Sequence, residues 1–290
     1  MHTLTKDDIH GIIVPIVSPF DQDGEIDTER FRAELEVMKA AEVNHLIVGG
    51  STGEGASLTA EEVAEFVRLA VDSGSDGLIA GVLPTSTRDA VQRAKLARDA
   101  GAAAVLVSPP IYVVPDDEAL LRFLQDIYSA SGLPIIFYNH FDAEVSTLRR
   151  VAQVDGVISI KDASVVKIDE LVQFESDNIA VAVAIDPVPM SGFAIGATAS
   201  ITGVNSVLPA QSVALHKASM AGDIDEARRL SELMAPLARL LVVPHNFPAP
   251  VKYAINLLGR EVGIPRAPFA TEGPAQENAI RSALIHAGVL

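Results

Sequence analysis

The chain has 290 residues, 49% of them hydrophobic, with 22 Lys and Arg against 38 Asp and Glu, for a formal net charge of −16 at pH 7. Such an acidic balance repels phosphate backbones and anionic bilayers, so nucleic acid and membrane are not expected partners. Absence of cysteine excludes disulfides and thiolate metal sites. The start, Met1-His2-Thr3-Leu4-Thr5-Lys6-Asp7, lacks the basic and apolar regions of a signal peptide. The longest apolar runs are strand-sized, too short to span a bilayer. A cytoplasmic protein is the expectation.

In chain order, apolar runs predict strands over Ile12–Val17, His45–Val48, Gly77–Val82, Ala104–Val107, Pro134–Tyr138, Val157–Ile160, Ile179–Val183 and Ala199–Thr202. Amphipathic stretches between them predict helices over Thr28–Ala41, Ala60–Val71, Thr87–Ala100, Asp116–Ala130, Leu148–Val154 and Val165–Gln173. Thr59 and Ser86 are placed as N-caps, and Gly101 as a helix stop. Eight strand–helix repeats without a linker predict an α/β fold of the (β/α)8 barrel type over residues 1–222. Helical patterns then continue through Val207–Ala221, Ile224–Leu241, Pro248–Leu258 and Gln276–Ala287. Residues 223–290 are therefore expected to form a C-terminal helical extension packed on the barrel. A doubly wound open sheet would alternate in the same way. The placement of polar residues favours the barrel, whose functional groups gather at the C-terminal ends of its strands.

Those ends carry the candidate chemistry. Lys161 follows the apolar run Val157-Ile158-Ser159-Ile160. A lysine held there is short of water, which lowers its pKa and allows it to attack a carbonyl carbon as a Schiff-base nucleophile. The plainer reading is a strand-end lysine that reaches solvent or pairs with Asp162. Gly49-Gly50-Ser51-Thr52-Gly53-Glu54-Gly55 offers close backbone amides and two hydroxyls to an anion, or else a tight turn whose hydroxyls satisfy nearby amides. It matches neither a P-loop nor a dinucleotide fingerprint. Tyr138 closes another strand, where a phenol could carry a proton or pack as a core aromatic. Tyr112 sits in a proline-flanked loop. His45, His140 and His245 are scattered, and no His/Asp/Glu set has metal-ligand spacing. Ile185-Asp186-Pro187-Val188-Pro189 is a poor match to the glycine-rich phosphate loops of many barrels.

Taken together these residues resemble the dihydrodipicolinate synthase / N-acetylneuraminate lyase family of class I aldolases. The resemblance runs from Gly11-Ile12-Ile13-Val14-Pro15 and Ser18-Pro19-Phe20, through Gly50-Ser51-Thr52-Gly53-Glu54, Pro110-Ile111-Tyr112, Tyr138-Asn139 and Ile160-Lys161-Asp162, to Asn246-Phe247-Pro248-Ala249-Pro250-Val251-Lys252. It implies a barrel with extra C-terminal helices, assembled as a homotetramer from dimers, with no metal and no organic cofactor. Lys161 would form the Schiff base with the C2 carbonyl of pyruvate or another 2-oxo acid, and Tyr138 would act as general acid/base. Ser51 would link Tyr138 to Tyr112, which in the family reaches in from a neighbouring subunit. Thr52, with the amides of its glycine neighbours Gly50 and Gly53, would bind the carboxylate. His140, Asp142 and the loop after the seventh strand would meet the rest of the substrate, with Ile201 also assigned to the site.

The chain departs from the family after Tyr138-Asn139. The segment His140-Phe141-Asp142-Ala143-Glu144 has Phe141 at a proline position and Ala143 where dihydrodipicolinate synthases typically carry a carboxylate-holding arginine. The glycine-aspartate pair after strand seven is altered to Ala184-Ile185-Asp186. The expected activity is therefore a Schiff-base lyase that cleaves or dehydrates a 2-keto-3-deoxy sugar acid or related compound. The alternatives are condensation of pyruvate with aspartate semialdehyde, and a non-catalytic barrel that binds a 2-oxo acid.

Overall fold

The computed structural model describes residues 3–290 except 114, 176–177, 188, 242–245 and 272, and leaves out the side chains of 174 and 175. Met1, His2, Val188 and His245, named above, lie outside the described residues. The strands are β1 (Gly11–Pro15), β2 (His45–Val48), β3 (Ile79–Val82), β4 (Ala104–Val107), β5 (Ile135–Asn139), β6 (Val157–Asp162), β7 (Ala180–Val183) and β8 (Ala199–Ser200). All pair in parallel and in sequence order, and β8 returns to β1 through Gly11↔Ala199 and Ile12↔Ser200. The sheet is a closed (β/α)8 barrel, as expected.

Alternation along the strands divides the apolar residues into two layers. Ile13, Ile47, Ile79, Leu106, Ile136, Ala180, Ala182 and Ala199 form the cluster inside the barrel. Ile12, Val14, Val105, Val107, Ile135, Phe137, Val181 and Val183 pack outward against the helices. Leu4 and Ile9 join the inner cluster and close one end of it. The interior side chains of β7 and β8 are alanines, so volume is left above them.

The surrounding helices are α1 (Thr28–Ala40), α2 (Ala60–Asp72), α3 (Thr87–Ala100), α4 (Asp117–Ser131), α5 (Val145–Val151), α6 (Val165–Glu175) and α7 (Pro189–Ala194). After β8 come α8 (Val204–Val207), α9 (Pro209–Met220), α10 (Ile224–Leu241), α11 (Pro248–Leu257) and α12 (Pro274–His286). The caps read from sequence are formed. The Glu62 amide donates to Thr59 Oγ1 at 3.1 Å and the Asp89 amide to Ser86 Oγ at 3.2 Å, while Gly101 takes a left-handed φ of 110°. The helix expected over Val207–Ala221 is α9, which starts at Pro209, a residue without an N–H that suits a first turn, while Val207 ends the separate short helix α8. A second apolar cluster, including Val204, Val207, Leu215, Leu237, Val251, Ile255 and Ile280, unites α8 to α12. Among the described residues, no helix is long and apolar enough to cross a membrane.

Candidate active site

A cavity of about 420 Å3 opens among the C-terminal ends of the strands. Gly50, Ser51 and Thr52 line it from the loop after β2, Tyr138 from β5, Lys161 from β6, Asp186 from the loop after β7, and Ile201 and Thr202 from just beyond β8. Phe247, which precedes α11, adds a wall from the C-terminal helices.

Lys161 lies within β6 rather than beyond it, because the strand continues to Asp162. Lys161 pairs with Tyr138 on one side and Ala182 on the other. The pairing with Tyr138 brings the Lys161 Nζ to 3.7 Å from the centre of the phenol ring. The lysine is only 7% exposed. Burial pulls its pKa from 10.5 to about 8, against the opposing charge of Asp186. Asp162 does not pair with Lys161. Its carboxylate accepts from Asn139 Nδ2 at 2.6 Å and from the Ser164 amide at 2.6 Å, fastening the end of β5 to the end of β6.

Asp186 is the acid facing this lysine. Burial raises its pKa from 3.8 to about 6, while the amides of Val204 and Gly203 and the charge of Lys161 act the other way. The Val204 amide donates to Asp186 Oδ1 at 2.6 Å. Tyr138 is likewise pushed up, first by burial and then by the charges of Asp186 and Asp162. An amine poised near neutrality, a phenol held protonated and a buried carboxyl thus share one cavity.

The loop after β2 is fixed by its backbone. Gly49 has a φ of 65°, the Glu54 amide donates to Ser51 O, and the Gly55 amide donates to Gly50 O. A Cβ on Gly55 would stand 1.8 Å from Gly49 O. Glycine is therefore required for this close backbone approach. Ser51 and Thr52 are thereby held at the cavity wall.

Other candidates fall outside it. The Gly53 carbonyl accepts from Ser18 Oγ at 2.7 Å below the loop, and Gly53 does not line the cavity. His140 is an exposed rim residue whose ring meets Tyr138 edge-on, with centroids 5.5 Å apart. Tyr112 is 97% exposed on the loop after β4 and does not line the cavity in the single chain. Among the described residues, no group of three or more His, Cys, Asp or Glu side chains is placed to hold a metal ion.

Comparison with known proteins is consistent across the chain. The model of the dihydrodipicolinate synthetase family matches residues 8–287. The chain belongs to this family. Its members include a 4-hydroxy-tetrahydrodipicolinate synthase of Methanothrix thermoacetophila, 29% identical over 94% of this chain and 95% of that one. Another, of Rhodospirillum centenum, is 31% identical over 97% and 99%. The chloride-inhibited dihydrodipicolinate synthase of Acinetobacter baumannii, solved with pyruvate, superposes with a TM-score of 0.92 at 28% identity, covering 97% of this chain and all of that one. The 4-hydroxy-tetrahydrodipicolinate synthase of Methylacidiphilum fumariolicum gives 0.91 at 28% identity, with 97% and 96% covered. The chain is accordingly an enzyme of the class I aldolase type, a lyase.

The cavity also includes residues that the sequence does not single out. The loop after the seventh strand is expected to meet the substrate, but Asp186 within it is not singled out by sequence, although an acid directly after a barrel strand is a usable signal. Thr202 ends the eighth predicted strand and Phe247 lies in the last stretch of the resemblance, and the structure brings both to the cavity wall. Ala143, which the resemblance sets opposite an arginine, is buried, and its amide donates to Asn139 Oδ1 at 2.9 Å. The nearby cation is Lys167 on α6, whose Nζ is spent on Asp142 Oδ1, Asp142 O and Ala143 O.

Proposed function

We propose that this enzyme forms a Schiff base between Lys161 and a 2-oxo acid, with pyruvate as the first candidate. The observation that carries the reading is the buried Lys161 amine, held at about pKa 8 and 3.7 Å over the Tyr138 ring in a cavity edged by Ser51 and Thr52. The neutral amine attacks C2, and the carbinolamine loses water to give the iminium. Loss of a proton from C3 yields the enamine, whose carbon adds to an aldehyde. Read backwards, the same steps cleave the C3–C4 bond. Tyr138, a phenol kept protonated by its surroundings, gives its proton to the carbinolamine hydroxyl as it leaves as water, and the resulting phenolate accepts the C3 proton. Thr52 and the adjoining amides receive the carboxylate, and Asp186 supplies a counter-charge to the iminium.

Between second substrates, the relatives favour aspartate semialdehyde over a 2-keto-3-deoxy sugar acid, since those named above are dihydrodipicolinate or 4-hydroxy-tetrahydrodipicolinate synthases. One local observation supports the sugar-acid reading. Ala143 provides no guanidinium, and Lys167 is neutralised by Asp142, so a second carboxylate lacks the usual charged partner. Tyr112, with exposed neighbours Ile111 and Val113, is suited to meeting another subunit, which supports a homo-oligomer in line with the expected homotetramer.

Borohydride added with pyruvate should leave a reduced adduct on the peptide carrying Lys161, and an unmodified peptide would overturn the mechanism. Initial rates with pyruvate plus aspartate semialdehyde, set against pyruvate release from a panel of 2-keto-3-deoxy acids, decide between the two substrates.

A further inference from the structure

Glu54 and Lys252 form an ion pair in which both side chains are fully buried, with Lys252 Nζ 2.6 Å from Glu54 Oε1. Glu54 closes the loop that carries Ser51 and Thr52, whereas Lys252 belongs to α11 in the C-terminal helices. We propose that this pair is a positioning device for the 2-oxo acid reaction, through which the C-terminal helices set the carboxylate-binding loop. The proposal rests on the Schiff-base reading of the site.

The geometry supports it at each joint. Glu54 takes a φ of 57°, a left-handed conformation that a non-glycine residue keeps only where its surroundings enforce it. Its amide donates to Ser51 O, and its carbonyl receives both the amide and the hydroxyl of Ser57. The side chain is gripped from the far end of the chain. Its Oε2 accepts from the Arg266 amide at 2.8 Å, and Lys252 Nζ donates to Ile264 O at 3.0 Å. The Phe20 ring has Lys252 Nζ 4.3 Å and the Arg266 guanidinium 4.2 Å from its centroid. The guanidinium in turn reaches Gly24 O, Ser57 O and Glu62. Phe247, one residue before α11, lines the cavity, so the helix that bears Lys252 also places a wall of the site.

A fully buried ion pair is a poor device for stability alone, because desolvation offsets much of the attraction and well-packed neutral groups serve as well. Burial pulls the Lys252 amine down, and the Glu54 carboxylate acts in the opposite sense. What the pair adds is a directional contact at one point of the loop.

The test is the double variant Glu54→Gln/Lys252→Met, which removes both charges and keeps the shapes. The expected result is a melting temperature equal to or above that of the wild type, a KM for pyruvate raised tenfold or more, and kcat within threefold. Borohydride should still trap Lys161 in the variant at saturating pyruvate. A folded double variant with KM changed less than twofold overturns the proposal. If the double variant does not fold, Glu54→Asp carries the test, since it keeps both charges but shortens the link between the loop and α11 by one methylene. It should raise KM at least threefold, and an unchanged KM overturns the proposal. Failure of wild-type trapping with pyruvate is a separate outcome that removes the Schiff-base reading and this proposal with it.

Discussion

Replacing Asp186 by asparagine should move the pH at which the enzyme engages pyruvate. Lys161 is held at about 8 instead of 10.5, a preference for the neutral amine of about 3 kcal/mol. At pH 7.5 roughly a quarter of the molecules then present a free amine, against roughly one in a thousand for an unperturbed lysine. Asp186 opposes this, since its negative charge favours the ammonium form. Asparagine has the same shape, and its Oδ1 can still accept from the Val204 amide. Removing the charge leaves burial unopposed, and the Lys161 pKa falls. An opposite charge close enough to interact typically moves a pKa by about one unit or more, so the displacement should be of that order. The assay is kcat/KM for pyruvate across the pH range, whose rising limb reports deprotonation in the free enzyme. In Asp186→Asn the limb should shift to lower pH. Because Asp186 itself titrates at about 6, wild type and variant should converge below that pH. A limb that stays in place or moves upward refutes the assignment of these two groups as an interacting pair.

The same substitution should stabilise the protein. The folded-state pKa of Asp186 is raised, so its contribution to stability is fully present below pH 3.8 and is lost as pH rises through about 6. Asp186→Asn should therefore gain about 2–3 kcal/mol at pH 7.5 and little near pH 4, measured by denaturant unfolding at both values; an equal effect at the two would contradict it. Tyr138→Phe should lower kcat by roughly 10²–10⁴-fold while Lys161 can still be trapped at saturating pyruvate, and near-normal turnover would remove the phenol from proton transfer. Gly81→Ala would drive a Cβ to 2.0 Å from Gly49 O behind the substrate loop. Overpacking of this kind costs about 1–3 kcal/mol or more, so the melting temperature should fall by several degrees, and an unchanged melt would mean that the loop backbone yields freely.

Much of this molecule was legible in one dimension. The barrel followed from the alternation of short apolar strands with amphipathic helices, which chain periodicity records directly. The paired strand ends Tyr138-Asn139 and Lys161-Asp162 stood out because polar groups terminating apolar strands must either be satisfied or be used. Where local signals are weak, the structure departs from the sequence pattern. The structure places α5 at Val145–Val151 rather than Leu148–Val154, and Glu144 at its start makes no side-chain capping bond. The short helix α7 went unseen, since it includes Gly192, a poor helix former that lies where a Cβ would strike Val183 Cγ2 at 2.1 Å.

The sequence by itself determined the barrel, its order of strands and the types of group at its mouth. Those are consequences of hydrophobic periodicity and of residue chemistry, both local to the chain. Tertiary structure alone decided which groups meet. It set Asp186 into the same cavity as Lys161 and thereby the charge balance of that lysine, and it left Tyr112 and His140 outside the cavity. It also joined Glu54 to Lys252 across most of the chain's length. Contacts of this kind depend on how α11 packs against the barrel, which no local pattern of the chain records.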